Sequence, residues 1–192
     1  MHYFFRLIIG KKNLILRSFV LLLYLLPLFA NAQSVKWNPN RPLKWSDFAG
    51  VVDESIHQDA FTHCTTKYTC HWTRRNNHYQ FNFTLNSGFD SQSSWCRKGK
   101  QTDLLLKHEQ LHFDIHELYT RKIFIALNQG TYTDNYKNEI ETIFRKMLKE
   151  CQAVQDRYDD ETDHSRIRDK QLEWEARIKA ELIKAPLYVS SE

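Results

Sequence analysis

The sequence predicts an α+β domain, a small, mostly antiparallel sheet packed on three helices. Two observations carry this. Strand-like alternation fills the first half, with Tyr79, Phe81 and Phe83 on one side and Gln80, Asn82 and Thr84 on the other. From Thr102 onward apolar residues recur at three- and four-residue spacing. Strands first and helices after are the order of an α+β chain rather than of alternating βα units.

The elements follow in order. Residues 1–32 have the form of a secretory signal peptide. Arg6, Lys11, Lys12 and Arg17 precede the apolar run Ser18 to Ala30, and Ala30-Asn31-Ala32 is a small-x-small cleavage pattern. The run is too short for a spanning helix, which takes roughly 20 apolar residues, and Pro27 interrupts it. The expected domain is residues 33–192, exported to the periplasm or secreted, with no membrane span after cleavage. Val35 to Asp53 is an aromatic lead-in whose Trp45 and Phe48 suit packing on the core. Thr65 to Trp72 and His78 to Leu85 read as a hairpin across the polar link Thr73 to Asn77, ended by Asn86-Ser87-Gly88. Asp90 to Lys100 reads as a loop around Trp95. Thr102 or Asp103 caps a first helix that runs to about Asn128 and stops at Gly130. A second helix spans Tyr136 to about Arg157, Tyr158 to Ser165 reads as a polar break, and a third helix covers about Arg168 to Lys184.

Charge narrows the classes of partner. The leader holds four of the 27 basic residues and none of the 23 acidic ones, so the expected domain is formally neutral. It has no basic footprint for nucleic acid. All four cysteines (Cys64, Cys70, Cys96, Cys151) follow the cleavage site, where an oxidising compartment permits disulfides. A Cys96–Cys151 bridge is the favoured pairing. Cys64 and Cys70, six apart on one strand, are too distant to bridge.

The chemistry concentrates in His108-Glu109-Gln110-Leu111-His112. Histidines four apart on a helix share one face, so both can reach a single zinc ion. Glu109, next to the first of them, suits proton transfer from a metal-activated water, and peptide-bond hydrolysis is the reaction such a set serves. A third ligand is required. His116 lies eight residues from His108, roughly 12 Å along the helix, and fits better as a supporting hydrogen-bonding residue. Asp114 projects away from His112 as a structural partner. Glu139 or Glu141 would complete a His₂Glu site. His164, in the polar break, would complete a His₃ site and is the favoured third ligand. Asp163 and Tyr158 are candidate supporting residues of the same break, Tyr158 also as an oxyanion donor. Arg121 and Tyr119 are further residues that a position beyond the motif could turn toward the site.

Three segments resemble the bacterial domain-of-unknown-function 922 proteins, described as predicted secreted zinc-dependent proteases: Pro42 to Gly50, Leu105 to Arg121 (LLKHEQLHFDIHELYTR) and Tyr158 to Ser165 (YDDETDHS). The resemblance implies a zincin-like metal helix, His108 and His112 as zinc ligands and Glu109 as the catalytic acid/base; the expected partner, a protein or peptide substrate, follows from the peptide-bond hydrolysis that the motif serves. It adds weight to Tyr158–His164 as part of the site. Leu111 and Ser165 depart from the pattern, where a small residue and a glycine are expected. The rival readings are a non-catalytic, zinc-stabilised envelope binding or assembly module and an amidase acting on cell-wall peptides.

Overall fold

The computed structural model describes residues 34–76 and 78–185, so the expected signal peptide lies outside the described residues. The elements are β1 (Ser34–Lys36), a 3-10 turn (Trp45–Asp47), β2 (Ala60–Phe61), β3 (Cys64–Arg75), β4 (His78–Asp90), β5 (Trp95–Cys96), α1 (Asp103–Gln129), α2 (Tyr136–Thr162) and α3 (Arg168–Lys184). This is the α+β arrangement expected. β3 and β4 form a long antiparallel hairpin with β1 on its outer edge, and β2 pairs with β5 in a separate antiparallel ribbon. None of the described helices is long and apolar enough to cross a membrane.

The hairpin outruns its expected limits at both ends. The polar residues Thr73 to Arg75 stay in register with His78 to Gln80. At the other end Gly88 does not stop the strand. It pairs with Lys36 of β1, and a Cβ there would collide with the Ser34 side chain. Gly88 therefore sits within the sheet, between β3 and β1, and not at a turn. The loop around Trp95 likewise contains a short strand, β5.

Helix α1 begins and ends as its capping residues dictate. The Thr102 hydroxyl accepts the Leu105 amide at 3.1 Å, and Gly130 is the C-cap. The second helix runs five residues past the expected end. Its buried stripe continues through Met147, Cys151, Val154, Tyr158 and Thr162 at spacings of three and four, so the acidic residues between them do not break it. The chain then turns through three consecutive left-handed residues, Asp163 (φ 45°), His164 (φ 49°) and Ser165 (φ 78°). The glycine-like conformation expected at position 165 is present, carried by a serine.

Three clusters make the core. Leu111, Ile115, Leu118, Tyr158, Trp174 and Ile178 lock the three helices together. Phe83 and Leu85 of the sheet meet Ile123 and Leu127 of α1 and Ile140 of α2. Val35, Leu43, Phe89 and Phe113 seat the lead-in, where Phe48 packs on Phe89 with ring centroids 4.9 Å apart, as its aromatic character predicted. Leu111 thus belongs to the core, in the cluster where α1 meets Tyr158 of α2 and Trp174 of α3. The expected Cys96–Cys151 bridge is not formed. All four cysteines are free, with Cys151 buried on the core face of α2 and Cys96 in β5.

Because α1 touches the sheet and both other helices, its core and cap residues have separable costs. Ile123→Ala, at a fully buried position, is expected to cost about 2–5 kcal/mol. Thr102→Ala removes one capping bond and is expected to cost about 1 kcal/mol. Urea unfolding midpoints measure both, and equal losses would contradict this account of α1.

Candidate metal centre

His108 and His112 lie one turn apart on the face of α1 that meets α2, and their Nε2 atoms are 3.1 Å apart. Opposite them, α2 presents Asp159. Its Oδ1 is 3.0 Å from His108 Nε2 and 2.9 Å from His112 Nε2. The three residues form a donor set whose ligand atoms all lie within 4.8 Å of one another. Donor atoms around a tetrahedral ion with bonds near 2.0–2.1 Å sit about 3.3 Å apart, so two imidazole nitrogens and a carboxylate oxygen at these spacings fit one divalent ion.

Asp159 is the member that sequence reasoning passed over. It stands one residue after Tyr158, so once the stripe is followed to Thr162 the helical phase puts its side chain beside the core, toward α1. The apolar periodicity was the available signal, and the surrounding acidic residues masked it. His164, the favoured third ligand, is not in the mutually close set. Its Nδ1 lies 3.5 Å from Asp159 Oδ1 and 3.2 Å from Gln58 Nε2, at the rim of the same cavity. Glu139 is engaged with Thr133, and Glu141 with Arg145, away from the site.

The rings are held from behind. His112 Nδ1 donates to Gln155 Oε1 at 2.6 Å, and Gln155 Nε2 returns a bond to the His112 carbonyl at 2.9 Å. This pair fixes the ring's rotation and leaves Nε2 to the site. Tyr158 is the floor, stacked on His108 at 4.5 Å and edge-on to His112 at 5.0 Å. Its hydroxyl donates to the His108 carbonyl at 3.4 Å, so it serves the helix backbone and is not turned toward a reacting oxyanion. His108 Nδ1 is buried without a partner among the described residues.

The electrostatics couple the three side chains. Burial pushes His108 down to about 4, against its bond to Asp159, so this ring is neutral. Burial also acts to lower His112, but the Asp159 carboxylate outweighs it and raises the group to about 9. For Asp159 burial is overcome by the bonds from His108 and His112, which hold the carboxyl well below its ordinary range. Without an ion, one proton on His112 neutralises the aspartate.

Glu109 opens on the same cavity. This space, about 400 Å³, is lined among others by Thr62, His63, His108, Glu109, His112 and Asp159. The glutamate is 3 % exposed, and burial raises its carboxyl above the usual value although His112 and the Thr62 hydroxyl favour the anion. The other expected supporting residues sit elsewhere. His116 shares a bond with Thr66 Oγ1 at 2.9 Å and touches the cavity wall without joining the donor set. Asp163 caps α2 and pairs with Arg166 at 3.2 Å on the surface. Asp114 accepts bonds from the Trp37 indole and Gln110, the structural role expected of it. Arg121 does not face the site. It is buried against Glu117 at 2.8 Å and donates to the Leu182 and Ala185 carbonyls on the far side of α1. Tyr119 packs in the three-helix cluster.

A family profile described as a bacterial protein of unknown function (DUF922) matches residues 52–165. That is more than half of the chain, and it contains every residue of the donor set together with Thr62, Glu109 and His164. No curated protein and no solved structure matches the chain.

Metal binding must expel the His112 proton, because only a neutral imidazole ligates. Below about 9 that proton is present, so affinity falls as pH falls. The expected slope is ~tenfold per pH unit for one displaced proton. Competition titrations with Zn²⁺ between pH 6 and 8 measure it. In the same assay Asp159→Ala is expected to weaken binding far more than His164→Ala, and the reverse ranking would restore His164 as the third ligand.

Proposed function

The chain belongs to this DUF922 family, and from the geometry built by its matched segment we propose that it is an exported zinc-dependent metallopeptidase. The observation that carries the reading is the Glu109 carboxylate, buried on the same cavity as His108, His112 and Asp159 and one residue from the first of them. Two imidazoles and a carboxylate suit zinc, and three protein ligands is the count of a catalytic rather than a structural zinc site. The leader-like residues 1–32 support export to the periplasm or beyond.

When bound, zinc supplies a Lewis acid that polarises a carbonyl and acidifies a water molecule. The protein's own groups do the rest. His108 and His112 present their Nε2 atoms to one point, with Tyr158 beneath them and Gln155 holding the second ring. Asp159 offsets positive charge at that point. Glu109 accepts a proton from the attacking water and delivers it to the leaving amine of the scissile peptide bond. Its burial suits both halves of that cycle, because a carboxyl with raised proton affinity holds the proton between the two transfers. The cavity walls, which include His57, Gln58 and Gln152, carry polar side chains that suit a peptide backbone. A formally neutral domain and a cavity of this size suit a protein or peptide substrate and give nucleic acid nothing to hold.

Glu109→Gln is expected to retain stoichiometric zinc while peptide hydrolysis falls ~10²–10⁴-fold, the range for loss of a general acid/base. His112→Ala is expected to lose the metal itself. Turnover of a quenched-fluorescence peptide library, with metal content measured on the same samples, separates the two. Undiminished turnover by Glu109→Gln would remove the proposed base.

A further inference from the structure

Thr62 is the one described residue whose side chain hydrogen-bonds the Glu109 carboxylate. Its hydroxyl donates to Oε2 at 2.7 Å. Glu109 lines the cavity, and no described group bonds its second oxygen, Oε1. The two oxygens are therefore unlike. One is tied to the protein wall and the other has no partner among the described residues.

Thr62 is itself held on both sides. It directly follows β2, whose Ala60 and Phe61 pair with Cys96 and Trp95. The Arg97 amide donates to the Asp59 carbonyl at 2.8 Å before it. After it, the His63 amide donates to Ser94 Oγ at 2.8 Å, and the Asp90 amide donates to the His63 carbonyl at 2.8 Å. A β-branched side chain on a backbone fixed in this way has little χ1 freedom. The final torsion of a glutamate is soft, with a broad distribution, so a single short bond to a carboxylate decides its rotation.

We propose that Thr62 is a positioning residue, which uses the β2–β5 ribbon to fix the Glu109 carboxylate with Oε1 facing the cavity. The inference rests on the peptidase reading for its kinetic consequence, but not for its structural one. Misplacing a reacting group by about 1 Å costs on the order of 10²-fold in rate. A lost hydroxyl here acts on turnover and leaves substrate binding and metal binding alone.

The test compares the full-length zinc-loaded protein with Thr62→Val and Thr62→Ser. Thr62→Val is expected to lower kcat ~10–100-fold at constant KM, with zinc content and melting temperature unchanged. Thr62→Ser, which keeps the hydroxyl, is expected to restore kcat to within a few-fold. Crystal structures supply a readout independent of turnover, with the Glu109 carboxylate rotated in Thr62→Val and in place in Thr62→Ser. If Thr62→Val fails to fold, Thr62→Ala carries both measurements. Normal kcat in the variant, or an unmoved carboxylate, overturns the proposal. A zinc-loaded wild type that hydrolyses no peptide sinks the peptidase reading instead, and the carboxylate orientation alone then decides the role of Thr62.

Discussion

The site depends on one carboxylate reaching across a helix interface. Asp159 Oδ1 lies within about 3 Å of two imidazole nitrogens that α1 supplies one turn apart. That contact requires α1 and α2 to pack in a single register, since a shift of one residue turns Asp159 by about 100° and withdraws it. The register is set by the three-helix cluster beneath. Tyr158 touches both imidazoles and Trp174 of α3, with a centroid distance of 5.3 Å to the tryptophan. The Trp174 indole in turn donates to Glu161 of α2 at 2.8 Å. The buried aromatic pair therefore transmits the packing of all three helices to the positions of the donor atoms.

What the sequence made legible divides along the same line. The Thr102 cap, the Gly130 stop and the four-residue spacing of His108 and His112 are local signals, and local physics decided them. The hairpin was legible for the same reason, because Tyr79, Phe81 and Phe83 alternate. Its length was not, since Asn86-Ser87-Gly88 reads as a stop, whereas these residues pair with β3 on one side and Gly88 also with β1 on the other. The end of α2 was hidden by composition. Asp159, Asp160, Glu161 and Asp163 look like a solvated connector, but Tyr158 and Thr162 are both buried, and burial of two residues four apart is enough to continue a helix. Missing those two residues as a stripe is what left Asp159 out of the candidate ligands.

The two faces of α1 explain several residues that the motif alone left ambiguous. His108, Glu109, His112 and His116 line the cavity on one side. Gln110, Leu111, Asp114 and Arg121 lie on the other, where Trp37 of the lead-in spans the helix. Its indole donates to Asp114 at 2.8 Å, and the Arg121 guanidinium sits 5.1 Å from its ring. Gln110 Oε1 accepts the Leu43 amide at 2.7 Å on that same side. Arg121 and Asp114 are thus fasteners for the lead-in and for the end of α3. Their proximity to the motif in sequence reflects a shared helix, not a shared site.

Glu109 follows His108 by one residue, which turns it about 100° around the helix axis. It therefore leaves the α1–α2 interface and points to Thr62, while the ligands point to α2. The donor set and the Glu109 carboxylate are held by different elements, the first by helix packing and the second by Thr62 beside the β2–β5 ribbon. This separation has a physical benefit. Asp159 also raises the proton affinity of Glu109, but only as a minor contribution beside burial. A substitution in the ribbon can then alter the carboxylate's orientation without disturbing the ligands, and one in α2 can empty the donor set without releasing Glu109. The donor atoms and the carboxylate that share one cavity thus rest on two different supports, both of which meet α1.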